Sequence, residues 1–559
     1  MSIGSLIQRA QLYWHTVKYL KPVQIYGRFW FKFYRPRPVT TPAPALRVPS
    51  GNWTAPAQRR QSLTGDGEFY FLNQAGSLSK LGWDNPTTEK LWRYNQHYFD
   101  DLNAENANER SIWHQSLLLN WIQSNPPGKG TGWEPYPTSL RIVNWIKWRL
   151  AGHTLPSNAL HSLAIQTRWL AKRLEIHLLG NHLFANAKAL IFAGLVFDGA
   201  EADRWLAKGV SIVERELPEQ VLSDGGNFER SPMYHSIFLE DVLDLINVAN
   251  VWPAKIDPAI VHNWRQVALK MLGWLQGMTH PDWQIGLFND AAFNVTPTPE
   301  RLTAYACRMQ LKPQDVFADT SGELTVKHWP DSGYVRLQSS NAVALLDVAP
   351  IGPDYLPSHA NADTLSFELS LFRQRVIVNG GTSRYGVGED RVKERQTSSH
   401  STVEVNQQSS SEVWGGFRVA QRAYPFDMLI EREHTRLSVS CSHDGYRRLP
   451  KPVVHSRRWC LSQGSFEVDD ELTGDFNEAV ARYVFHPSVT ISFVSQGEWL
   501  IHLPENHSVN MTVKKGHASL GDAFYSAEFG SRVKTRALLV CPEARRLAMS
   551  FSWKHADTV

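Results

Sequence analysis

At 559 residues the chain is too long for one compact core and implies two or more domains. Its 42% hydrophobic and 20% charged residues exclude the disordered and fibrous classes. A net charge of +4 makes no case for nucleic acid, while 21 Trp suit both sugar-binding clefts and helical packing.

No Asp or Glu precedes Asp66, and KYLKPVQIYGRFWFKFYRPRP (Lys18 to Pro38) is basic and aromatic. Two readings fit it: an arm packed on the main domain, or a peripheral contact with a membrane surface or an anionic polymer. No signal-peptide core and no apolar run near ~18 residues is seen, so a cytoplasmic location is expected, with the periplasm as the alternative. Residues 36–62, rich in Pro, Thr, Ala and Arg, read as an extended connector. Cys307, Cys441, Cys460 and Cys541 are scattered without a CxxC spacing, which suggests reduced thiols.

From about residue 105 to 310 the helical period dominates, in SIWHQSLLLNWIQ, TSLRIVNWIKWRL, ALHSLAIQTRWLAKRLEIHLL and IVHNWRQVALKMLGWLQGM. After about 325 the period becomes two, in YVRLQ, AVALLDV, LSFELSLF, RVIVNGG, STVEVN, RLSVSCS, SFEVDDEL, ARYVFHP and SVTISFV. The expected organisation is an α+β multidomain chain: an arm and linker over 1–65, a helical domain over 66–320, and an antiparallel β-sandwich over 325–559. LSFELSLF-RQ-RVIVNGG reads as a hairpin, although Arg373-Gln374 is not a favoured two-residue turn.

Three groups of polar residues interrupt these patterns. LLGNHLFANAKALIFAGL (Leu178 to Leu195) reads as a buried helix opened by Asn181 and His182. Asn there is either an N-cap or part of a site. In DGGNFERSPMYHSIFLEDVLDL, Ser231 caps and Pro232 fills the first position of a helix that carries Tyr234 and His235 in its first turn. Two helix N-termini converging there would favour an anion and ease the Tyr234 phenol below its usual pKa. In the β region, His359 and His400 each sit just ahead of a strand. Each group also has a plain structural explanation as a cap, a buried tyrosine or loop histidines.

Together these stretches resemble the heparinase II/III-type polysaccharide lyases, a group related to alginate and heparan sulfate lyases. The resemblance runs from LWRYNQHYFDDL (Leu91 to Leu102) through GWEPYPTSLRIVNW, GNHLFANAKALIFAGL, GGNFERSPMYHSIFLEDVLDL and SHANADTLSFELSLFRQRVIVNGGTSRYG to SSHSTVEVN and SSSEVWGGFRVAQRA. It implies an incomplete (α/α) toroid joined to an antiparallel β-sandwich, with the cleft between them. It also implies β-elimination on a uronic-acid glycoside. Asn181 and His182 would neutralise the substrate carboxylate, Tyr234 would be the catalytic tyrosine, most often the acid toward the leaving group and, depending on the C5 epimer, acid and base both, and His359 the base or a substrate-holding group. Asn95, Trp133, Glu134, Arg141 and His235 would contact substrate, with Trp133 stacking on a sugar and Arg141 pairing with an anion. Basic clusters at Arg391, Lys393 and Arg395, and at Arg447, Arg448 and Lys451, would suit the acidic polymer.

Members of that family often carry a metal site in the β domain, and the resemblance places the matching positions here at Asn361, Asn379 and His400. Amides are poor zinc ligands, so the resemblance implies a degenerate site for zinc or calcium and no required cofactor. Two rivals stay open: a glycoside hydrolase using Glu229 with Glu240 or Asp241, and a non-catalytic polysaccharide-binding or assembly protein.

Overall fold

The computed structural model describes residues 3–312 and 323–554. The expected domain boundary at residue 320 and the last five residues lie outside them. Two helices open the chain, α1 (Ile3–Val17) and α2 (Pro22–Phe33). The connector that follows is extended, as its composition predicts, and is strapped to the helical domain. Arg47 bonds Asp198, Asp203 and the carbonyl of Gly194, and Asn247 bonds the carbonyl of Thr54 at 2.7 Å. A small sheet unseen in the sequence periodicity comes next, of β1 (Leu63–Gly65), β2 (Glu68–Phe71) and β3 (Gln74–Ser77).

The helical domain comprises α3 (Leu78–Leu81), α4 (Lys90–Tyr98), α5 (Ser111–Ser124), α6 (Pro135–Leu150), α7 (Ser157–Lys172), α8 (Gly180–Val196), α9 (Ala200–Gln220), α10 (Pro232–Val251), α11 (Pro258–Gly277) and α12 (Pro299–Arg308). The chain states its helix starts by a repeated device: α6, α10, α11 and α12 each begin with Pro, where no N–H is needed, and Ser231, Asp257 and Thr298 each cap the first turn. Helix α8 is buried on every side beyond its first turn, so it is the central helix of the toroid, not one with a single apolar face. It meets α9 through glycine: a Cβ on Gly194 would stand 2.5 Å from the Leu206 nitrogen, and one on Gly209 2.8 Å from the Ala187 oxygen.

Side chains of α6, α8 and α10 meet in a buried ion network. Lys188 lies 2.7 Å from both Asp241 and Asp244, Lys147 lies 3.0 Å from Asp244, and Arg59 of the connector lies 2.5 Å from Glu240. A buried lysine among apolar helices is tolerated only with such partners. The network ties together the three helices that carry Tyr136, His182 and Tyr234 in their first turns.

The β region begins with a five-stranded antiparallel meander, β4 (Thr325–Trp329), β5 (Tyr334–Gln338), β6 (Ala342–Asp347), β7 (Phe367–Leu371) and β8 (Gln374–Ile377). The expected hairpin is β7–β8, but Leu371 pairs with Gln374, so its turn residues are Phe372 and Arg373. Both have positive φ (49° and 65°) without being glycine. Phe372 is held by stacking on His507, with centroids 4.2 Å apart. A short helix α13 (Glu389–Arg395), strand β9 (Val403–Val405) and the hairpin β10 (Val413–Trp414) with β11 (Arg418–Val419) follow.

An eight-stranded antiparallel sheet spans 425–552, and a four-stranded sheet includes β9. Residues such as Phe367, Tyr483, Trp459 and Phe551 fill one core shared by these two sheets and the five-stranded meander. The architecture is thus an (α/α) toroid followed by antiparallel β-sheets. No helix among the described residues is long and apolar enough to cross a membrane.

Candidate active site between toroid and sheets

Three toroid segments and two β-region loops converge. Helix α8 starts one turn earlier than the sequence suggests, with Leu179 at the N-cap (φ 61°) and Gly180 following (φ 54°). Asn181 is therefore a first-turn residue and not the cap. Gly180 suits its left-handed backbone, and a Cβ there would press on the tip of the Leu356 side chain at 2.6 Å, from the facing β-region loop. Asn181 and His182 are the only half-exposed residues of a helix otherwise buried. The Asn181 side chain makes no hydrogen bond among the described residues. His182 packs on Tyr136 (centroids 4.5 Å), and its Nδ1 lies 3.2 Å from Glu175 without hydrogen-bond geometry.

Helix α10 begins as expected, with the Tyr234 N–H donating to Ser231 Oγ at 3.2 Å. The phenol ring of Tyr234 lies on the imidazole of His359, with centroids 3.9 Å apart and planes 27° off parallel. Its hydroxyl is 2.9 Å from that of Tyr385. The helix end does not ease this phenol. Burial, the Tyr385 hydroxyl and the Glu229 carboxyl push its pKa well above the ordinary value, so Tyr234 is a neutral phenol. The expectation of a lowered pKa is corrected: desolvation outweighs the helix dipole.

His359 comes from the loop between β6 and β7. Its Nδ1 is 3.0 Å from Asp290 Oδ2, and Asp290 in turn receives both terminal nitrogens of the fully buried Arg391. Burial holds the imidazole pKa below its usual value, against the pull of Asp290. Arg391 and His359 hold the Asp290 carboxyl below its own range despite burial. The state at neutral pH is thus a neutral imidazole with Nδ1–H donated to Asp290 and a free Nε2 lone pair.

Nε2 faces Glu229 Oε2 at 3.8 Å. That carboxyl is buried, Oε2 has no hydrogen-bond partner, and burial with the neighbouring Asp290 pushes its pKa up to about 8. Non-glycine residues with positive φ adjoin these groups: Leu179, Arg230 and Asn289, at 61°, 57° and 56°. Arg230 is held there by its carbonyl, which accepts from Asn289 Nδ2 at 2.9 Å and from the Tyr334 hydroxyl at 2.7 Å.

Several expected substrate contacts are structural. Trp133 is buried among Trp121 and Trp169, and its Nε1 donates to the Asn125 carbonyl, so it stacks on no sugar. Arg141 is fully buried over Trp121, bonds Gln166, and has its pKa driven far down by burial. His235 is also fully buried; Nε2 bonds the Met271 carbonyl, and burial lowers its pKa to about 3. Asn95 bonds back to Leu91 of its own helix, and Glu134 is half-exposed and paired with Lys90 and Tyr94. The basic cluster at 391–395 is also corrected: Arg391 and Arg395 are fully buried and bonded internally, leaving Lys393 exposed. Of the second cluster, Arg448 is occupied by the carbonyls of Ser409, Ser410 and Gly445.

The degenerate metal positions present one imidazole and two amides, a poor donor set for zinc. His400 is buried, and its Nδ1 is 3.3 Å from Asn379 Oδ1, which takes up that amide oxygen. Asn361 offers only a neutral amide oxygen. Among the described residues no group of three or more His, Cys, Asp and Glu side chains is placed to hold a metal ion.

Sequence reasoning missed Asp290, Tyr385 and the true role of Arg391. Asp290 lies in a coil after α11 where no periodicity marks it, and only the pairing of NDAAF with a distant Arg would have pointed to it.

With this geometry in place, comparison with known proteins is direct. Residues 92–307 match the heparinase II/III N-terminus and residues 322–554 the heparinase II/III-like C-terminal domain. The chain belongs to the heparinase II/III-like family. Among curated relatives, a heparin-sulfate lyase of Bacteroides stercoris is 29% identical over 243 residues, 41% of this chain and 36% of that one. One of Pedobacter heparinus is 26% identical over 328 residues, 55% and 46%. The chain therefore matches less than half the length of these relatives. A crystal structure of heparinase III superposes with a TM-score of 0.65 at 18% identity, over 83% of this chain and 77% of that one. The heparan sulfate lyase HepC of Pedobacter heparinus gives 0.57 at 17% identity, over 88% and 82%. At such identities the superpositions establish the fold of this heparinase II/III-like chain, the toroid with its β domain.

Proposed function

We propose that this heparinase II/III-like protein is a polysaccharide lyase that cleaves a uronate-containing acidic polysaccharide or oligosaccharide by β-elimination. The observation that carries the reading is the pairing of a neutral phenol, Tyr234, with a neutral imidazole, His359, whose free Nε2 is aimed by Asp290. The relatives are named heparin-sulfate lyases, which supports an acidic polysaccharide as the substrate class.

In this mechanism Asn181 and His182, on the half-exposed first turn of α8, bind the uronate carboxylate. Charge then spreads into that carboxylate as the C5 proton leaves. Glu229, uncharged below about pH 8, adds no competing negative charge. His359 Nε2 takes the C5 proton, the electron pair forms the C4–C5 double bond, and the C4–O bond breaks. Tyr234 delivers its phenol proton to the departing oxygen; solvent then returns a proton to the phenolate and takes the C5 proton from the His359 imidazolium, restoring both groups. No step runs through a metal.

The test is ultraviolet absorbance during incubation with heparan sulfate, hyaluronan, alginate and polyglucuronate. Elimination leaves an absorbing unsaturated uronate. Saturated reducing ends in its place would favour the hydrolase reading, and binding without products the non-catalytic one. The carboxylates that a hydrolase would pair with Glu229, namely Glu240 and Asp241, are held in the ion network with Arg59, Lys147 and Lys188.

A further inference from the structure

The arm that precedes the toroid does two things at once. Its inner face is docked. Helix α2 lays Gly27 against His177 and Phe31 under Arg173 (3.7 Å), and Gln24 donates to the Tyr355 carbonyl at 3.0 Å. Helix α1 sets Tyr13 edge-on to Trp414 of the β10–β11 hairpin (5.0 Å), and Trp414 Nε1 donates to Thr16 at 3.0 Å. His177 lies five residues before His182, and the β10–β11 turn carries Phe417, 6.1 Å from His359. The arm thus touches both walls that hold the site.

The outer face is open among the described residues, apart from Trp30 stacking on Tyr34 of the same arm. On α2, Ile25, Phe29 and Phe33 recur every four residues, with Tyr26 and Trp30 beside them; all five are at least 50% exposed, and Phe33 reaches 74%. At 3.6 residues per turn this stripe is opposite Gln24, Gly27 and Phe31. Helix α1 repeats the pattern with Ile7, Trp14 and Val17, exposed to 55%, 64% and 44%. Arg28 and Lys32 flank the α2 stripe on one side and are exposed. Within residues 1–40 there are seven Lys and Arg and no Asp or Glu. Beside α2 a cavity of about 350 Å³ is lined by Trp30 and Tyr34 together with Lys172, Lys208 and Arg215, adding three exposed cations at the edge of the same surface.

We infer that α1 and α2 are an interfacial anchor that docks the protein on an anionic lipid bilayer, with the Ile25–Phe29–Phe33 stripe in the acyl boundary and the cations on the headgroups. Charge complementarity and side-chain type select this occupant. An acidic polysaccharide would be met by the cations and by aromatic faces, but has no use for Ile7, Val17, Ile25 and Phe33 in the open. A row of aliphatic and aromatic side chains flanked only by Lys and Arg is the composition of a helix lying in a membrane interface.

The experiment is flotation of the full-length protein with phosphatidylglycerol-containing vesicles and with pure phosphatidylcholine vesicles, at low and high salt. Three variants accompany it: I25S/F29S/F33S, R28E/K32E, and W283S as a control that removes an exposed Trp far along the chain. The expected result is flotation with the anionic vesicles, weakened by salt, and retained by the control. The charge-reversed variant should partition at least about tenfold less, and the serine variant should stay at the bottom with an unchanged melting temperature. The proposal is overturned if the wild type does not float with anionic vesicles or if the serine variant floats equally well. It is equally overturned if the stripe substitutions abolish retention on immobilised heparan sulfate or dissociate a dimer while leaving flotation intact.

Discussion

The ring of Tyr234, from the first turn of α10, lies flat on the ring of His359, from a β-region loop, with 3.9 Å between centroids. Tyr234 belongs to the toroid and His359 to the β region, so the pair exists only where the two meet. Both rings are buried, which keeps the phenol protonated and the imidazole unprotonated, the two states a proton donor and a proton acceptor need.

Tyr234→Phe removes the donor and keeps the stack. Turnover should fall by about 10²–10⁴-fold with substrate affinity little changed, as read by initial rates and by direct binding to the same polymer. Retained turnover would assign the acid to another group, with Tyr385 as the nearest candidate.

Asp290→Asn keeps the shape of the carboxylate but leaves Arg391 without its counter-charge and lets Nδ1 of His359 become the acceptor. The rate should fall by about 10²-fold or more. Thermal stability should also drop, by roughly 3–5 kcal/mol, for breaking a buried pair. A variant that melts lower yet turns over normally would remove Asp290 from the mechanism.

Glu229 gives the pH dependence. Its pKa rises from 4.5 to about 8 on folding. Below the unfolded value both states hold the proton. As the pH climbs through that window only the folded chain holds it, so stability falls, and above it the fold carries a buried anion. Glu229→Gln should melt higher than wild type at about pH 9 and the same at about pH 4, and should lose the alkaline limb of the rate profile. A melting difference constant across pH would refute this protonation.

Much of the fold is legible in the sequence because the change of hydrophobic period from helical to two is strong and the Pro-led helix starts are explicit. The site is legible only in part. Asn181, His182, Tyr234 and His359 interrupt apolar patterns, so a reader notices them. Trp133, Arg141 and His235 mislead for the same reason: polar or amphipathic types look exposed until their partners are known, and those partners are the Asn125 carbonyl, Gln166 and the Met271 carbonyl. Asp290 and Tyr385 lie in coil, where periodicity carries no information, and meet His359 and Tyr234 only through contacts across the domain boundary.

Lys188→Met tests the ion network beneath the site. It leaves Asp241 and Asp244 short of a counter-charge at full burial, so denaturant unfolding should show a loss of about 3–5 kcal/mol. Lys188→Arg is no rescue, because its longer, planar head does not reproduce the two 2.7 Å contacts. A loss under about 1 kcal/mol would mean that water replaces the lysine.

Elemental analysis of the purified protein should find well under one zinc per chain, and chelation should leave its activity and melting temperature unchanged. Stoichiometric zinc lost together with stability would show that His400, Asn379 and Asn361 bind metal despite their amide donors.

The measurement that decides most is the ultraviolet trace of wild type and Tyr234→Phe on one responsive uronate polymer, with both proteins checked for equal folding. Elimination by the Tyr234–His359 pair predicts a rising signal from the wild type and none from the variant. Equal signals from both, or saturated products from the wild type, would contradict it.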